Sequence, residues 1–234
     1  MSNTLQQTIS IGENDPNGKN ASILFRVLDV RFLSKNTYCI RIERKNFQFR
    51  TGQLINMGVP GSGVNREYSL YSTPDDPYME VLIREVEGGL VSVALKSRKP
   101  GDYVEVHGPY GEFVLKTPND KRSYLFIGTG TGIAPFHCYK KSYPDLDYRV
   151  LHGVRKLDER YDWESYPKGR YVSCVSQEPG GDFRGRVSDY LRQHKADPEQ
   201  VVYLCGNRSM IIECYGILRE QGVSSDNICT EVFF

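Results

Sequence analysis

The sequence predicts two domains of different architecture, an N-terminal antiparallel β-barrel and a C-terminal α/β domain with a parallel, doubly wound sheet. Three observations predict it. The 234 residues suit two modest domains, each able to bury its own core. Up to about residue 119 the chain is a succession of short strand-like runs broken by Gly and Pro, the pattern of a barrel. After Thr117-Pro118-Asn119-Asp120 strand-like and helix-like runs alternate, the pattern of a parallel sheet covered by helices. The expected division is therefore 1–21 as a polar lead-in, 22–119 as the barrel and 120–234 as the α/β domain.

In the barrel half, Ile23 to Leu28 and Thr37 to Ile42 are rich in β-branched, aromatic and aliphatic residues and partly alternate, as strands do. Gln53 to Val59, Arg66 to Ser72, Met79 to Val86, Tyr103 to Val106 and Glu112 to Leu115 read as further strands, with a helix over Leu90 to Ser97. In the second half, strands are expected at Tyr124 to Gly128, Tyr148 to His152, Tyr171 to Ser176, Val201 to Cys205 and the end of the chain. Helices are expected after Gly132 and over Val187 to His194 and Ser209 to Gln221.

Composition narrows the function. Hydrophobic residues make up 39% and charged residues 25%, ordinary for a soluble globular protein, and the net charge of +1 gives no electrostatic case for nucleic acid. No stretch approaches the roughly 20 apolar residues of a membrane span, so membrane insertion is not expected and a cytoplasmic protein is. The six cysteines lie far apart with no CxxC pair, which argues against a zinc or iron–sulfur site and reads as reduced, buried thiols. His107, His137, His152 and His194 show no ligand spacing, so no metal is expected. Gly18-Lys19 lacks the glycine and hydroxyl residue of a phosphate loop. Arg41, Arg44, Lys45 and Arg50 form a basic cluster, as do Lys96, Arg98 and Lys99; a solvated surface is the default reading of both, and the first could steer an acidic partner.

Two segments carry chemistry. In Phe126-Ile127-Gly128-Thr129-Gly130-Thr131-Gly132-Ile133-Ala134-Pro135 an apolar strand runs into three alternating glycines and a helix. Glycine lets the backbone approach a phosphate, and a helix start offers free N–H groups; a purely structural turn would look much the same. In Arg66-Glu67-Tyr68-Ser69-Leu70-Tyr71-Ser72 arginine can hold phosphate, tyrosine can lie on a flat heterocycle and serine can hydrogen-bond a ring nitrogen. Alternation sends Arg66, Tyr68 and Leu70 to one face and Glu67, Ser69 and Tyr71 to the other; a half-buried structural strand shares that pattern.

From about Ser22 to Phe234 the chain resembles the ferredoxin–NADP reductase family, on motifs in the family's order: Phe49-x-x-Gly52-Gln53, Arg66-x-Tyr68-Ser69, Gly89-x-x-Ser92, the turns at Lys99 to Asp102 and Gly108 to Phe113, Gly128 to Pro135, Cys205-Gly206-Asn207 with Met210, and the C-terminal Glu231-Val232-Phe233-Phe234. The resemblance implies FAD and NADP(H) as cofactors and a ferredoxin or flavodoxin as the one-electron partner. It implies that Tyr68 packs on the isoalloxazine, with Ser69 and Leu70 beside it, and that Arg66 and the segment Gly89, Leu90, Val91 and Ser92 hold the flavin pyrophosphate. Phe233 would cover the isoalloxazine and Phe234 the adenine. Gly130, Thr131, Gly132, Gly206 and Met210 would bind the nicotinamide dinucleotide, and Ser69, Cys205 and Glu231 would surround the hydride-transfer position. Arg155, Ser176 and Arg186 would receive the 2′-phosphate, although Gln177 stands where many members have an arginine. The alternatives are an NADH-dependent reductase like those of cytochrome b5 or of oxygenase components, and a non-catalytic flavin electron-transfer subunit.

Overall fold

The computed structural model describes residues 23–118 and 121–233. The polar lead-in expected over 1–21, the domain boundary near residue 119 and Phe234 all lie outside the described residues.

The first six strands are β1 (Ile23–Ser34), β2 (Thr37–Glu43), β3 (Leu54–Gly58), β4 (Asn65–Ser69), β5 (Tyr78–Arg84) and β6 (Tyr103–Tyr110). They pair antiparallel in the order β4-β3-β6-β1-β2-β5. A bridge between Leu70 and Val81 carries the chain beyond β4 across to β5, which brings the two edges of the sheet together. Strand alternation fills the interior: Phe25, Val27, Ile40, Ile42, Ile55, Met57, Leu70, Val81, Val104 and Val106 share one buried cluster. The short helix α1 (Leu90–Lys96) adds Val91 and Leu95 to it.

The second sheet is wholly parallel. Its strands are β7 (Tyr124–Thr129), β8 (Tyr148–Val154), β9 (Tyr171–Val175), β10 (Phe183–Arg184), β11 (Val201–Asn207) and β12 (Ile228–Phe233), in the order β10-β9-β8-β7-β11-β12. The helices are α2 (Ala134–Ser142), α3 (Val187–Gln193) and α4 (Arg208–Glu220). The order reverses between β7 and β11, and in such sheets ligands bind beyond the carboxyl ends of the strands at that point.

One expectation fails here for a physical reason. Glu112 to Leu115 is not a strand. Phe113 and Leu115 are buried in a cluster that also holds Tyr71, Tyr139 and Tyr203, so this segment plugs the junction of the domains. Its carbonyls accept side-chain hydroxyls in place of a ladder: Tyr139 donates to Phe113 O, and Tyr203 donates to Val114 O at 2.9 Å. The Arg41 to Arg50 cluster, whose default reading is a solvated surface, has its charges largely paired. Arg41 pairs with Glu80 at 3.1 Å, Lys45 with Glu43 at 3.2 Å and Arg50 with Glu112 at 2.8 Å, while Arg44 donates to the carbonyls of Phe47, Pro74 and Asp76. Runs of like charge in sequence say nothing of the carboxylates that folding brings beside them.

The histidines satisfy local hydrogen bonds: His107 meets Glu105, His137 the Tyr71 carbonyl and His194 the Tyr190 carbonyl. His152 is discussed with the site. Among the described residues no three His, Cys, Asp or Glu side chains gather as a metal site would require, and no helix is long and apolar enough to cross a membrane.

Candidate active site

The three residues expected around the reacting position come together from three strands and both domains. Cys205 and Glu231 are register partners on the neighbouring strands β11 and β12. Ser69 ends β4 of the barrel, and its hydroxyl donates to Glu231 Oε2 at 3.1 Å. The Cys205 thiol points at the same oxygen from 3.9 Å. Burial, reinforced by the nearby Glu67 carboxylate, pushes the Glu231 carboxyl up to about 7, an effect that the Ser69 and Cys205 contacts partly offset. Burial also pushes the Cys205 thiol well up, so it stays protonated. The arrangement is a carboxyl group poised near neutrality, held by a hydroxyl from the opposite domain.

On the barrel side, Tyr68 is half-buried against the barrel cluster and Arg66 is exposed at the start of its strand, with one guanidinium nitrogen on Asn65 O at 2.8 Å. The Leu70 side chain is fully buried in the barrel core, the cluster that Tyr68 also packs against, and its N–H donates to Gln53 O at 3.0 Å. Val91 likewise belongs to the core. Gly89 precedes α1, whose first turn carries no side-chain cap, and Leu90 projects into solvent. Ser92 is buried and accepts the Val86 N–H at 3.0 Å, so its hydroxyl shapes the turn before the helix. An uncapped helix start and an exposed arginine are each chemically suited to a pyrophosphate.

On the α/β side, the carboxyl ends of β7 to β9 and β11 open onto a cleft of about 450 Å³. Gly130, Thr131, Arg155, Ser176, Arg186, Gly206, Met210 and Phe233 all line it, which gathers most of the expected dinucleotide set in one place. Gly132 and Cys205 do not; they pack behind it. A Cβ on Gly132 would stand 2.4 Å from the Cys205 carbonyl oxygen, so this glycine lets the loop lie against β11. Gly130 differs: its φ is +54° and its Cβ position is open space. The loop continues as a tight turn over Gly130–Ile133 before α2 begins. Gly206 has φ +132°, and a Cβ there would collide with Thr129 Oγ1 at 2.5 Å. Asn207 caps α4, its Oδ1 accepting from Ser209 N at 2.9 Å and Met210 N at 3.4 Å. The Ser176 hydroxyl donates to Val154 O at 3.1 Å. Phe233 is half-buried at the end of β12 and packs on the interdomain cluster.

Several site residues escaped sequence reasoning. Arg84 comes from the barrel strand β5, lines the cleft and faces Glu159 at 3.9 Å. Glu159 in turn accepts the Arg155 N–H at 2.8 Å, and Glu213 adds a second carboxylate to the lining. His152 is fully buried under the glycine loop. Its Nε2–H donates to Gly130 O at 2.8 Å, which leaves Nδ1 to accept the Tyr171 hydroxyl at 2.8 Å. Burial holds the imidazole down to about 4, hence neutral. Apart from the local Arg155–Glu159 contact, these pairs join positions about 20 residues or more apart, with no motif to announce them.

An antiparallel barrel followed by a parallel sheet, with a glycine-lined cleft at the carboxyl ends of its strands, has the architecture of a two-domain flavin and nicotinamide oxidoreductase. Comparison with known proteins agrees. The family model for an oxidoreductase FAD-binding domain matches residues 25–115, and that for an oxidoreductase NAD-binding domain matches residues 126–214. The chain is 33% identical to the aromatic O-demethylase reductase subunit of an Amycolatopsis species, over 88% of this chain and 68% of that protein. It is 32% identical to the toluate 1,2-dioxygenase electron transfer component of Pseudomonas putida, over 88% of this chain and 66% of that protein. The chain thus spans about two thirds of the length of these relatives. Among solved structures, an Amycolatopsis cytochrome P450 reductase superposes with a TM-score of 0.81 at 28% identity, covering 92% of this chain and 71% of that one. The ferredoxin–NADP+ reductase of Plasmodium falciparum, at 20% identity and TM-score 0.79 over 91% of this chain and 96% of that one, shares the fold. The protein belongs to the ferredoxin–NADP reductase-type family of flavoprotein oxidoreductases.

Proposed function

We propose that this protein is the reductase of an oxygenase system, taking a hydride from NADH and passing electrons singly to a one-electron carrier or oxygenase protein. The observation that carries the reading is the junction of Ser69, Cys205 and Glu231, where the barrel strand expected to face FAD meets the cleft expected to hold the dinucleotide. The choice of an oxygenase system over a ferredoxin–NADP+ couple is supported by the relatives, which are reductase or electron-transfer components of a dioxygenase and an O-demethylase. Pairing of the Arg41 to Arg50 cluster removes the local argument for an acidic ferredoxin or flavodoxin at that face.

When bound, FAD supplies the conversion between a two-electron donor and a one-electron acceptor. The chain's own tasks are to bind, orient and exclude water. Arg66 and the first turn of α1 would hold the flavin pyrophosphate, and Tyr68 and Phe233 would flank the isoalloxazine. Thr131 and the Gly130 turn would receive the nicotinamide dinucleotide's pyrophosphate, helped by Arg84 from the barrel. Ser69 and Glu231 would keep a proton at the oxygen between them, beside the reacting carbon.

NADH is favoured over NADPH by the cleft's mixed charge. Glu159 and Glu213 stand among Arg84, Arg155 and Arg186 in the lining, and Gln177 replaces the arginine that would complete a 2′-phosphate site. Two measurements test the reading. The purified protein should release FAD and not FMN on denaturation, since FMN lacks the pyrophosphate for which Arg66 and α1 provide. Its kcat/KM with an artificial one-electron acceptor should be at least about tenfold higher for NADH, a difference of about 1.4 kcal/mol. An equal or greater value with NADPH would restore Arg155, Ser176 and Arg186 as a 2′-phosphate site.

A further inference from the structure

Between β8 and β9 the chain makes a strap, residues 155–170, which leaves the α/β domain and lies on the barrel. It starts in the cleft at Arg155 and carries two short 3-10 turns, Leu157–Glu159 and Trp163–Ser165. Asp162 sits between them in a left-handed conformation, φ +47° and ψ +30°, uncommon for a residue with a Cβ though better tolerated by Asp than by most.

What holds it is a set of three donors from the barrel. Both carboxylate oxygens accept from Arg31, at 2.8 Å each, in the paired geometry that a guanidinium and a carboxylate share. Oδ2 also accepts the Tyr71 hydroxyl at 3.0 Å. Tyr71 is fully buried and lies two residues beyond Ser69 on the same run of chain. Its ring stacks on His137 at 3.8 Å and 12°, and His137 Nδ1 donates to the Tyr71 carbonyl at 3.0 Å. His137 belongs to α2, the helix that follows the Gly130 turn. Asp162 therefore ties together the cleft's strap, the Ser69 strand and the helix behind the glycine loop.

On the functional reading above, we propose that Asp162 is a positioning residue for hydride transfer, fixing the dinucleotide cleft against the flavin strand through Tyr71. The domains do not need it merely to adhere. The apolar cluster at their junction already includes Phe113, Phe136, Tyr139 and Tyr203. Apolar packing resists separation but tolerates small sliding, whereas a two-pronged ion pair with a third donor defines one register. Hydride transfer is sensitive to that register, because donor and acceptor must align to within a fraction of an ångström.

The test uses the FAD-loaded protein, with Asp162→Asn and Tyr71→Phe. Asp162→Asn should slow anaerobic flavin reduction at saturating NADH by tenfold or more and weaken the nicotinamide–flavin charge-transfer absorbance, with the Kd for NAD+ changed less than twofold. Tyr71→Phe, which removes only a hydroxyl, should slow it by a smaller factor in the same manner. A wild-type rate in both variants, or a rate that falls only in step with nucleotide affinity, would overturn the proposal. In cofactor-free protein, amide hydrogen exchange should quicken in Asp162→Asn at both residues 155–170 and residues 69–72. Faster exchange confined to the strap would overturn the coupling whatever the enzyme does. Should Asp162→Asn not fold, Tyr71→Phe decides alone by the same criteria. Wild-type protein that reduces no flavin with either nucleotide defeats the functional reading instead, while the exchange result still judges the coupling.

Discussion

Glu231→Gln should abolish the pH dependence of flavin reduction around neutrality. Glu231 accepts from Ser69 at 3.1 Å, and burial sets its carboxyl at about 7. The site therefore changes from neutral to anionic around neutrality, at the position proposed for hydride transfer. A rate inflection near that value is expected in the wild type. The variant should give a flat profile with a rate lower by about tenfold or more, the scale of a lost positioned proton donor or acceptor. The sign of the stability effect is fixed by linkage. A carboxyl whose folded value lies above its unfolded one keeps its proton longer when folded, so stability falls as pH rises from about 4.5 towards 7. Each unit of difference is worth about 1.4 kcal/mol. Glutamine cannot ionise, so above neutrality the variant should melt at higher temperature than the wild type, and below pH 5 the difference should vanish. Stopped-flow reduction and thermal melts across pH 4.5–8.5 measure both; an unaltered inflection in the variant would assign it to another group.

Gly132→Ala should cripple nucleotide binding while leaving FAD in place. The added Cβ would stand 2.4 Å from Cys205 O and 2.8 Å from Cys205 C, and backbone atoms in a parallel ladder have little room to yield. The glycine turn must lift away from β11, carrying Thr131 with it. Overpacking of this kind costs about 1–3 kcal/mol, and NADH affinity should fall at least tenfold. Gly130→Ala makes the contrast. Its new methyl meets open space, and only the left-handed φ of +54° opposes it, so a milder loss near 1 kcal/mol is expected. Equal effects at the two positions would show that close approach to Cys205 is not what Gly132 provides. Calorimetric titration with NAD+ and the flavin content of each variant decide.

The two-sheet architecture was legible because each half obeys one periodicity. Phe25, Val27, Ile40 and Ile42 alternate as barrel strands must, and Val201 to Leu204 form the unbroken apolar run of a strand covered on both faces. Ser69, Cys205 and Glu231 were found because the resemblance named them, and their convergence needed the fold. What escaped is what chain-distant partners decide. Phe113 and Leu115 carried a strand pattern yet fill a domain junction, where hydroxyls replace the ladder. Arg41 and Arg50 read as a basic cluster whose partners, Glu80 and Glu112, only the fold brings beside them. Asp162 carried no signal at all, since Arg31 and Tyr71 lie 131 and 91 residues away.

The hydrogen bond from His152 to Gly130 has a bearing on how the glycine turn treats charge. A trans peptide points its C=O and its N–H to opposite sides. With the Gly130 carbonyl directed inward to His152 Nε2 at 2.8 Å, the N–H of Thr131 in the same peptide plane faces outward, towards the cleft that Thr131 lines. The buried imidazole thus acts as a rectifier for one dipole, turning the negative end of that peptide into the domain and the positive end to the surface. Because burial holds the imidazole down to about 4, it is neutral around pH 7, so the turn keeps its polarity where the Glu231 carboxyl titrates.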